Sequence, residues 1–232
     1  MTAERRSNVP VALVTGHRSG IGAAIAARLV ADGWRVVGVD LERAESAHPL
    51  IEQRVADLAD ADQVSALLPT LPRVRALVHA AGYMRVAPLE QLDPRDGARM
   101  WAVHVQALVL LARALVPGML SGGRILAIGS RTSAGAAGKS QYAACKAAVT
   151  ALVRSWAIEL APRGVTANVI APAATRTAMA ADASRASVPP QVPPIGRLIE
   201  PAEIAAYAAF VLSAEAAPVT GEELVVCGGA SL

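Results

Sequence analysis

The sequence predicts an α/β protein with a doubly wound, parallel seven-stranded sheet and helices on both faces. Short apolar runs alternate with helical segments along the chain, which is the order of repeated strand–helix units. The predicted strands are apolar at successive rather than alternate positions, as expected for strands buried on both sides. Of the 232 residues, 53% are hydrophobic and 18% are charged, so the chain can bury a large core.

No linker or change in composition divides the chain, so we expect one domain over residues 1–232. The first strand, 9–15, ends at a glycine-rich turn, and a helix over 20–32 follows it. A long amphipathic helix over 94–117 begins with Asp93 as N-cap and Pro94 as its first residue. The other predicted strands are 34–40, 50–58, 74–82, 122–130, 164–172 and 222–229, and the other helices are 60–68, 140–161 and 201–213.

Composition excludes several classes of function. The net charge is +3 and the basic residues are scattered, so no nucleic-acid partner is predicted. The opening MTAERRSNVP has no apolar core after its arginines, and no run of 18 apolar residues occurs, so neither a signal peptide nor a membrane span is expected. Cys145 and Cys227 form neither a disulfide framework nor a metal-ligand spacing. A reducing cytoplasm is the simplest compartment.

The segment TGHRSGIG (15–22) joins the first strand to the first helix. Gly16, Gly20 and Gly22 let the backbone turn sharply and approach a ligand closely. The helix N-terminus behind them offers unpaired N–H groups and a positive dipole end, which suit a pyrophosphate. The spacing differs from the commoner dinucleotide fingerprint, and by itself the turn is equally consistent with a plain strand–helix connection.

Asp40 improves the case for a dinucleotide site. It ends the second predicted strand, 18 residues after Gly22, where an acid hydrogen-bonds the adenosine ribose hydroxyls. A carboxylate there repels a 2′-phosphate and favours NAD, whereas Arg18 in the turn attracts that phosphate. The sequence therefore predicts NAD, with NADP as the open alternative. Without a ligand, Asp40 would simply be a polar residue at the end of a strand, and Arg18 would be a solvent-exposed cation in a loop.

Several motifs together resemble the short-chain dehydrogenase/reductase family over nearly the whole chain. They are TGHRSGIG, ADL (56–58), AAG (80–82), the Tyr142–Lys146 pair, ANVIAPAATRT (167–177) and TGEELVVCGG (220–229). The resemblance implies a single Rossmann-type domain, a nicotinamide cofactor and reversible oxidation of an alcohol to a carbonyl. It also implies a homodimer or homotetramer, with helices 94–117 and 140–161 packed across an interface.

The resemblance also implies a set of cofactor contacts. Asp57 meets the adenine amino group with Leu58 beside it, and residues 80–82 lie under the adenine ribose. Pro172, Thr175 and Thr177 match the segment that holds the nicotinamide carboxamide. The full predicted cofactor set is Gly16, Arg18, Ser19, Gly20, Ile21, Gly22, Asp40, Asp57, Leu58, Ala80, Ala81, Gly82, Tyr142, Lys146, Pro172, Thr175 and Thr177.

Tyr142 and Lys146 are one helical turn apart and therefore share a helix face. Oxidising an alcohol needs a base for the hydroxyl proton, and a free tyrosine, with a pKa of about 10, is a poor one at neutral pH. An ammonium one turn away stabilises the phenolate, so we expect Lys146 to lower the pKa of Tyr142. In the family this lysine also hydrogen-bonds the nicotinamide ribose. Without the other family motifs, we would interpret Tyr142 as a half-buried residue that contributes only to packing.

A hydroxyl donor must position the substrate oxygen. Ser130 ends the fifth predicted strand, 12 residues before Tyr142, one residue closer than the family's usual spacing. Ser133 is a possible substitute, although we favour Ser130. For both serines the plain alternative is a hydroxyl that caps a loop.

Two family asparagines are missing. After the fourth strand the family's Asn-Asn-Ala-Gly reads His79-Ala80-Ala81-Gly82, and His104 stands at the family's catalytic asparagine. That asparagine binds a water through which protons reach the lysine. A histidine can hold water or relay protons itself, since it titrates near neutrality. The alternative is that His104 is a buried structural residue whose ring nitrogens are hydrogen-bonded.

We therefore predict an oxidoreductase that acts on a small, mostly apolar alcohol or ketone through Tyr142, Lys146, Ser130 and His104, with no metal. Residues 173–200 are expected to close the substrate pocket, and because they contain no aromatic residue and few charges, a strongly anionic substrate is not required. A 3-oxoacyl-type reductase is one alternative. The other is a non-catalytic nucleotide-binding or sensor protein on the same fold, which the loss of both asparagines motivates.

Overall fold

A computed structural model describes residues 9–43 and 48–232. The signal-peptide prediction rests mainly on residues 1–8, which lie outside the described residues. Seven parallel strands form one sheet in the order β3-β2-β1-β4-β5-β6-β7, which confirms the predicted fold class. The strands are β1 Val11–Thr15, β2 Arg35–Asp40, β3 Ile51–Val55, β4 Ala76–His79, β5 Arg124–Ile128, β6 Thr166–Pro172 and β7 Glu223–Val226.

Helices cover both faces of the sheet. They are α1 Gly20–Ala31, α2 Ala61–Leu67, α3 Pro94–Trp101, α4 Ala107–Leu115, α5 Ser140–Leu160, α6 Ala178–Ala181 and α7 Pro201–Leu212. One apolar layer buries Leu13 together with residues of α4 and α5, such as Leu108 and Val149. The opposite layer buries Val14 with residues of α1 and α7. Side chains at successive strand positions thus enter opposite layers, which explains why the strands are apolar throughout.

The predicted continuous helix over 94–117 is interrupted at its centre. Residues Ala102–Gln106 form a π-helical segment between α3 and α4. The N–H of Ala107 donates to the carbonyl of Ala102, five residues back, instead of to Val103, its α-helical partner. π-Helical turns are rare and often occur at functional sites. Hydrophobic periodicity gave no sign of this turn, because one extra residue hardly changes which face is apolar.

The composite helix Pro94–Gly118 is the one described helix that is long and apolar enough to cross a membrane. Its most apolar window has a mean hydropathy of 1.5, and half of that window is buried within the fold. Buried residues include Met100, Leu108 and Leu111, which pack against the sheet. The helix therefore has the pattern of a core helix.

Residues 173–200 contain more regular secondary structure than the sequence indicated. Helix α6 and a tight turn over Ala183–Arg185 lie within this segment. Thr175 pairs with Ile199 in a short bridge, which closes the segment at its base. The segment follows the carboxyl end of β6, the edge at which ligands bind in open α/β sheets.

Candidate active site

A cavity of about 1200 Å³ lies at the carboxyl ends of the strands. This volume exceeds that of a typical pocket for one small ligand. Among the sequence-predicted site residues, all but Arg18 line it. The residues brought together are Gly16, Ser19, Gly20, Ile21, Gly22, Asp40, Asp57, Leu58, Ala80, Ala81, Gly82, His104, Ser130, Tyr142, Lys146, Pro172, Thr175 and Thr177.

The glycine turn is as tight as the sequence predicted. Gly16 has a φ of +70°, and a Cβ there would lie 2.9 Å from the backbone of Ala81. A Cβ on Gly22 would lie 2.1 Å from the carbonyl oxygen of Gly16. Ser19, at the N-cap of α1, makes no side-chain capping bond, and the first turn contains no acid. The N–H groups at this helix end can therefore receive an anion.

The segment after β6, predicted to hold the nicotinamide, forms one end of the cavity. Thr175 donates its hydroxyl to the carbonyl of Ala173 at 3.0 Å. Thr177 caps α6 through a 3.4 Å bond from the N–H of Ala180, and its methyl group lies against Gly20 of the glycine turn. These contacts hold the segment next to the turn, so that one ligand can reach both.

Asp40 is fixed at the end of β2 by two backbone donors. The N–H of Arg18 lies 3.0 Å from one carboxylate oxygen, and the N–H of Leu41 lies 2.9 Å from the other. The guanidinium of Arg18 turns away from the cavity and pairs with Glu42 at 2.7 Å. Two carboxylates and one paired cation therefore surround this edge of the cavity.

Asp57 lines the adenine side predicted for it, but it is already engaged. One carboxylate oxygen accepts the N–H of Ala59 at 2.8 Å, and the other pairs with Arg99 of α3 at 2.8 Å. Arg99 lines the same cavity. The ion pair joins the end of β3 to α3 across the adenine side.

Tyr142 and Lys146 are both buried on the cavity wall, at 6% and 4% exposure. The ammonium of Lys146 donates to the carbonyl of Ile128 at 2.6 Å and lies 5.6 Å from the centre of the Tyr142 ring. The small residues of α5 allow this burial, because Ala143 and Cys145 pack closely on either side. The helix presents both reactive groups to one cavity, as their spacing predicted.

The expectation that the pKa of Tyr142 is lowered is wrong for this structure. Burial raises the pKa of Tyr142 to about 12, and hydrogen bonding with Ser130 and the charge of Arg185 offset only part of that rise. Burial also lowers the pKa of Lys146 to about 8. Sequence spacing indicates which groups are close but not how dry their surroundings are, and here desolvation outweighs charge.

The two candidate serines, Ser130 and Ser133, differ in their position relative to the cavity. Ser130 lines the cavity, and its hydroxyl lies 2.9 Å from that of Thr132. Ser133 instead donates to the carboxylate of Glu223 at 3.1 Å, on the β7 side. Of the two, only Ser130 is placed to meet a substrate oxygen beside Tyr142.

His79 joins three elements behind the cavity. Its Nε2 lies 3.0 Å from the carbonyl of Val103, which can only accept, so Nε2 carries the proton. Its Nδ1 therefore accepts from the hydroxyl of Thr15 at 3.1 Å, and the same hydroxyl accepts the N–H groups of Ala80 and Ala81 at 3.1 Å. Burial, with the charge of Lys146, lowers the pKa of His79 to about 3, so the ring is neutral.

His104 lies within the π-helical segment and is fully buried. Its Nε2 donates to the carbonyl of Tyr83 at 2.8 Å, and its ring meets the Tyr142 ring edge-on at 5.5 Å. Burial, and then the charge of Lys146, hold the pKa of His104 well below its usual range. The expectation that this histidine titrates near neutrality is therefore wrong; any role it has is that of a neutral group.

These features fit a nicotinamide dinucleotide. The glycine turn supplies a cradle that a Cβ would fill, α1 supplies unpartnered N–H groups, and Asp40 supplies a fixed acceptor. The cavity continues from there to Tyr142 and Lys146.

Sequence reasoning did not single out Arg99, Arg131, Lys139 and Arg185 as site residues, although all four line the cavity. None of them belongs to a motif. The charges of Arg185 and Lys139 interact only because two loops pack together, which no local pattern reveals.

The chain is similar to proteins of known activity. A family model described as enoyl-(acyl carrier protein) reductase matches residues 16–231. D-threitol dehydrogenase of Mycolicibacterium smegmatis is 36% identical, over 94% of this chain and 92% of that protein. The 3-oxoacyl-[acyl-carrier-protein] reductase FabG of Vibrio cholerae is also 36% identical, over 94% of this chain and 96% of that protein.

Solved structures show the same fold. A short-chain dehydrogenase from Burkholderia cenocepacia in complex with NADP has a TM-score of 0.85 at 32% identity, covering 96% of this chain and 98% of that one. A 3-ketoacyl-(acyl-carrier-protein) reductase from Brucella melitensis, complexed with NADH, has a TM-score of 0.84 at 29% identity with the same coverage of both chains.

Proposed function

This chain belongs to the short-chain dehydrogenase/reductase family and is an NAD(P)-dependent oxidoreductase; from that premise we propose that it interconverts a small, mostly apolar alcohol and its ketone. The observation that carries the proposal is the burial of Tyr142, Lys146 and Ser130 around one cavity that also contains the dinucleotide cradle.

We propose the following roles for the chain's own residues. A bound nicotinamide supplies or accepts the hydride. The hydroxyls of Ser130 and Tyr142 hold the substrate oxygen between them, and Tyr142 gives that oxygen its proton when a ketone is reduced. Lys146, fixed by the carbonyl of Ile128, keeps a positive charge beside the phenol and stabilises the phenolate that remains. In alcohol oxidation the same proton moves the opposite way.

The protonation states favour reduction. At neutral pH Tyr142 is a phenol, because burial raises its pKa to about 12, whereas Lys146 is largely an ammonium, with a pKa of about 8. A protonated acid and a nearby cation are the state that ketone reduction requires. We therefore propose that the chain works more readily as a carbonyl reductase.

We propose NAD(H) as the preferred cofactor. The carboxylate of Asp40 is held at the ribose end by two N–H groups, and Arg18 is paired with Glu42. A 2′-phosphate placed there meets two negative groups and one cation that is already paired. Among similar structures, one contains NADP and another NADH, so the argument rests on these side chains.

A 3-oxoacyl reductase is the second candidate. The Vibrio cholerae 3-oxoacyl reductase and the Mycolicibacterium smegmatis threitol dehydrogenase are equally similar to this chain, at 36% identity. We place the 3-oxoacyl reductase second because the sequence contains no anchoring motif for an acyl carrier.

We also propose a cytoplasmic homodimer or homotetramer. An apolar groove between α3–α4 and α5 is lined by Trp101, Val105, Val109, Leu110 and Leu152, and Trp101 is 46% exposed. This is the surface that the family resemblance predicted for packing between subunits.

A panel of secondary alcohols, ketones and acetoacetyl-CoA, each assayed with NAD(H) and NADP(H) by nicotinamide absorbance, tests the proposal. We expect turnover of at least one small ketone with NADH. Turnover of acetoacetyl-CoA alone would move the assignment to the second candidate. Cofactor binding without turnover of any member of the panel would favour a nucleotide sensor.

A further inference from the structure

Arg185 is a buried cation in the segment over the cavity. It is 6% exposed, and its Nη1 donates to the carbonyl of Met179 at 2.7 Å. Its Nε is buried without a hydrogen-bond partner among the described residues. Within residues 9–43 and 48–232, no carboxylate lies at ion-pair distance from it. A buried charge without a counter-ion is costly, so such a group commonly marks a place where an anion binds.

The charge of Arg185 acts at the reactive end of the cavity. Arg185 lines the same cavity as Tyr142 and Ser130, and its positive charge lowers the pKa of Tyr142 against the effect of burial. Nη1 is occupied by Met179 and Nε is buried, so Nη2 is the guanidinium nitrogen left to meet a ligand in the cavity. A charged N–H donor of this kind forms a strong hydrogen bond with a carboxylate oxygen.

Two further cations lie on the facing loop. Gly138 lies against Val188, which brings the loop before α5 next to the turn that contains Arg185. Lys139 and Arg131 line the cavity from that loop. Burial lowers the pKa of Lys139, and the charges of Arg185 and then Arg131 lower it further, as expected for crowded like charges.

The three side-chain carboxylates that line the cavity have other partners. Asp57 pairs with Arg99, and Asp182 lies 3.8 Å from Arg85. Asp40 accepts two backbone N–H groups at the far end. The substrate end therefore has an excess of positive charge, although the composition of residues 173–200 had suggested no need for an anionic substrate.

We propose, on the basis of the function proposed above, that Arg185 and Lys139 form a subsite for the carboxylate of the substrate, so that the chain acts on small keto acids or hydroxy acids. The rest of the substrate remains apolar, in keeping with Met84, Met179 and Val188 on the same cavity wall. Arg185 lines the same cavity as Tyr142 and its charge acts on the phenol, so the carboxylate and the reacting carbon share one cavity. A small acid fits this arrangement better than a thioester whose charges lie on a distant carrier.

The test compares acids with neutral esters of the same shape. The probes are 3-oxobutanoate and 4-oxopentanoate, each beside its methyl ester, with NADH as reductant. The variants are Arg185→Met and Lys139→Met, and Arg113→Met, on the exposed side of α4, is the matched control. We expect the parent to prefer at least one acid over its ester in kcat/KM by about 10-fold or more. Arg185→Met should reduce that ratio by about 10- to 100-fold, mainly through KM.

A second measurement separates this inference from the proposed activity. The melting temperature of the protein with NADH is recorded with each acid and each ester. Stabilisation by an acid that Arg185→Met abolishes supports the subsite even where no probe is turned over. Equal use of acid and ester, a preference that survives Arg185→Met, or preferred turnover of acetoacetyl-CoA unaffected by that variant would each overturn it.

Discussion

Nε2 of His79 lies 3.0 Å from the carbonyl oxygen of Val103, and this bond ties strand β4 to the π-helical turn that contains His104. On its other side the ring accepts from Thr15, which neighbours His79 in the sheet register. One neutral histidine thus links the cofactor edge of the sheet to the helix behind Tyr142. The missing family asparagine is replaced by a larger group that spans β1, β4 and this helix.

His79→Leu should lower the free energy of unfolding by about 1 to 3 kcal/mol, because the buried Thr15 hydroxyl and Val103 carbonyl lose their partner. Urea denaturation at one protein concentration measures the change. His48→Leu, at an exposed histidine, is the control and should change stability little. A His79→Leu protein as stable as the parent would show that the network does not support the fold.

Asp40→Ser should shift cofactor preference towards NADPH by about 10-fold or more in relative kcat/KM. The change removes a charge that repels the 2′-phosphate. Glu42→Gln, which releases Arg18 but keeps Asp40, should produce a smaller shift in the same direction. If the parent already uses NADPH better than NADH, the interpretation of Asp40 is wrong.

Gly82→Ala should destabilise the protein by about 1 to 3 kcal/mol through overpacking. The added Cβ would lie 2.2 Å from Cε1 of His104, which is fully buried. Replacing His104 by Asn in the Gly82→Ala background should recover part of that loss, and thermal unfolding of the four proteins measures the coupling. Additive effects would mean that the two positions do not meet.

Ketone reduction should fall as pH rises through about 8. Burial lowers the pKa of Lys146 to about 8, so the ammonium is present below that pH and is lost above it. Tyr142, with a pKa of about 12, stays protonated throughout. The pH profile of kcat checks this prediction. His104→Asn should leave the fall in place, because that ring is already neutral; a profile that moves with His104 would restore a titrating role for it.

The sequence predicted the sheet and the order of its strands along the chain, and all but one of the predicted site residues line the cavity. These features depend on local patterns, such as apolar runs, glycines at a turn and a four-residue spacing. The raised pKa of Tyr142 was not predictable, because it depends on how completely α5 is covered. The π-helical turn and the buried Arg185 were missed for a related reason: each is defined by contacts between segments distant in sequence.

The substrate segment illustrates the limit most clearly. Its composition, with no aromatic residue and few charges, suggested that a strongly anionic substrate is not required. In the structure, Arg185 turns inwards, while Arg176 and Arg197 on the same segment pair with Glu200 and Glu203. The turn that contains Arg185 packs against the loop before α5, where Val188 lies against Gly138, and no local pattern in the sequence shows this.

Comparison of the parent with Tyr142→Phe tests the central claim most directly. Both are assayed with NADH on the ketone that the parent reduces best, and NADH affinity is measured by fluorescence titration. Loss of the phenol proton should lower kcat by about 100-fold or more while NADH still binds. A Tyr142→Phe enzyme as active as the parent would contradict the assignment of Tyr142 as the proton donor.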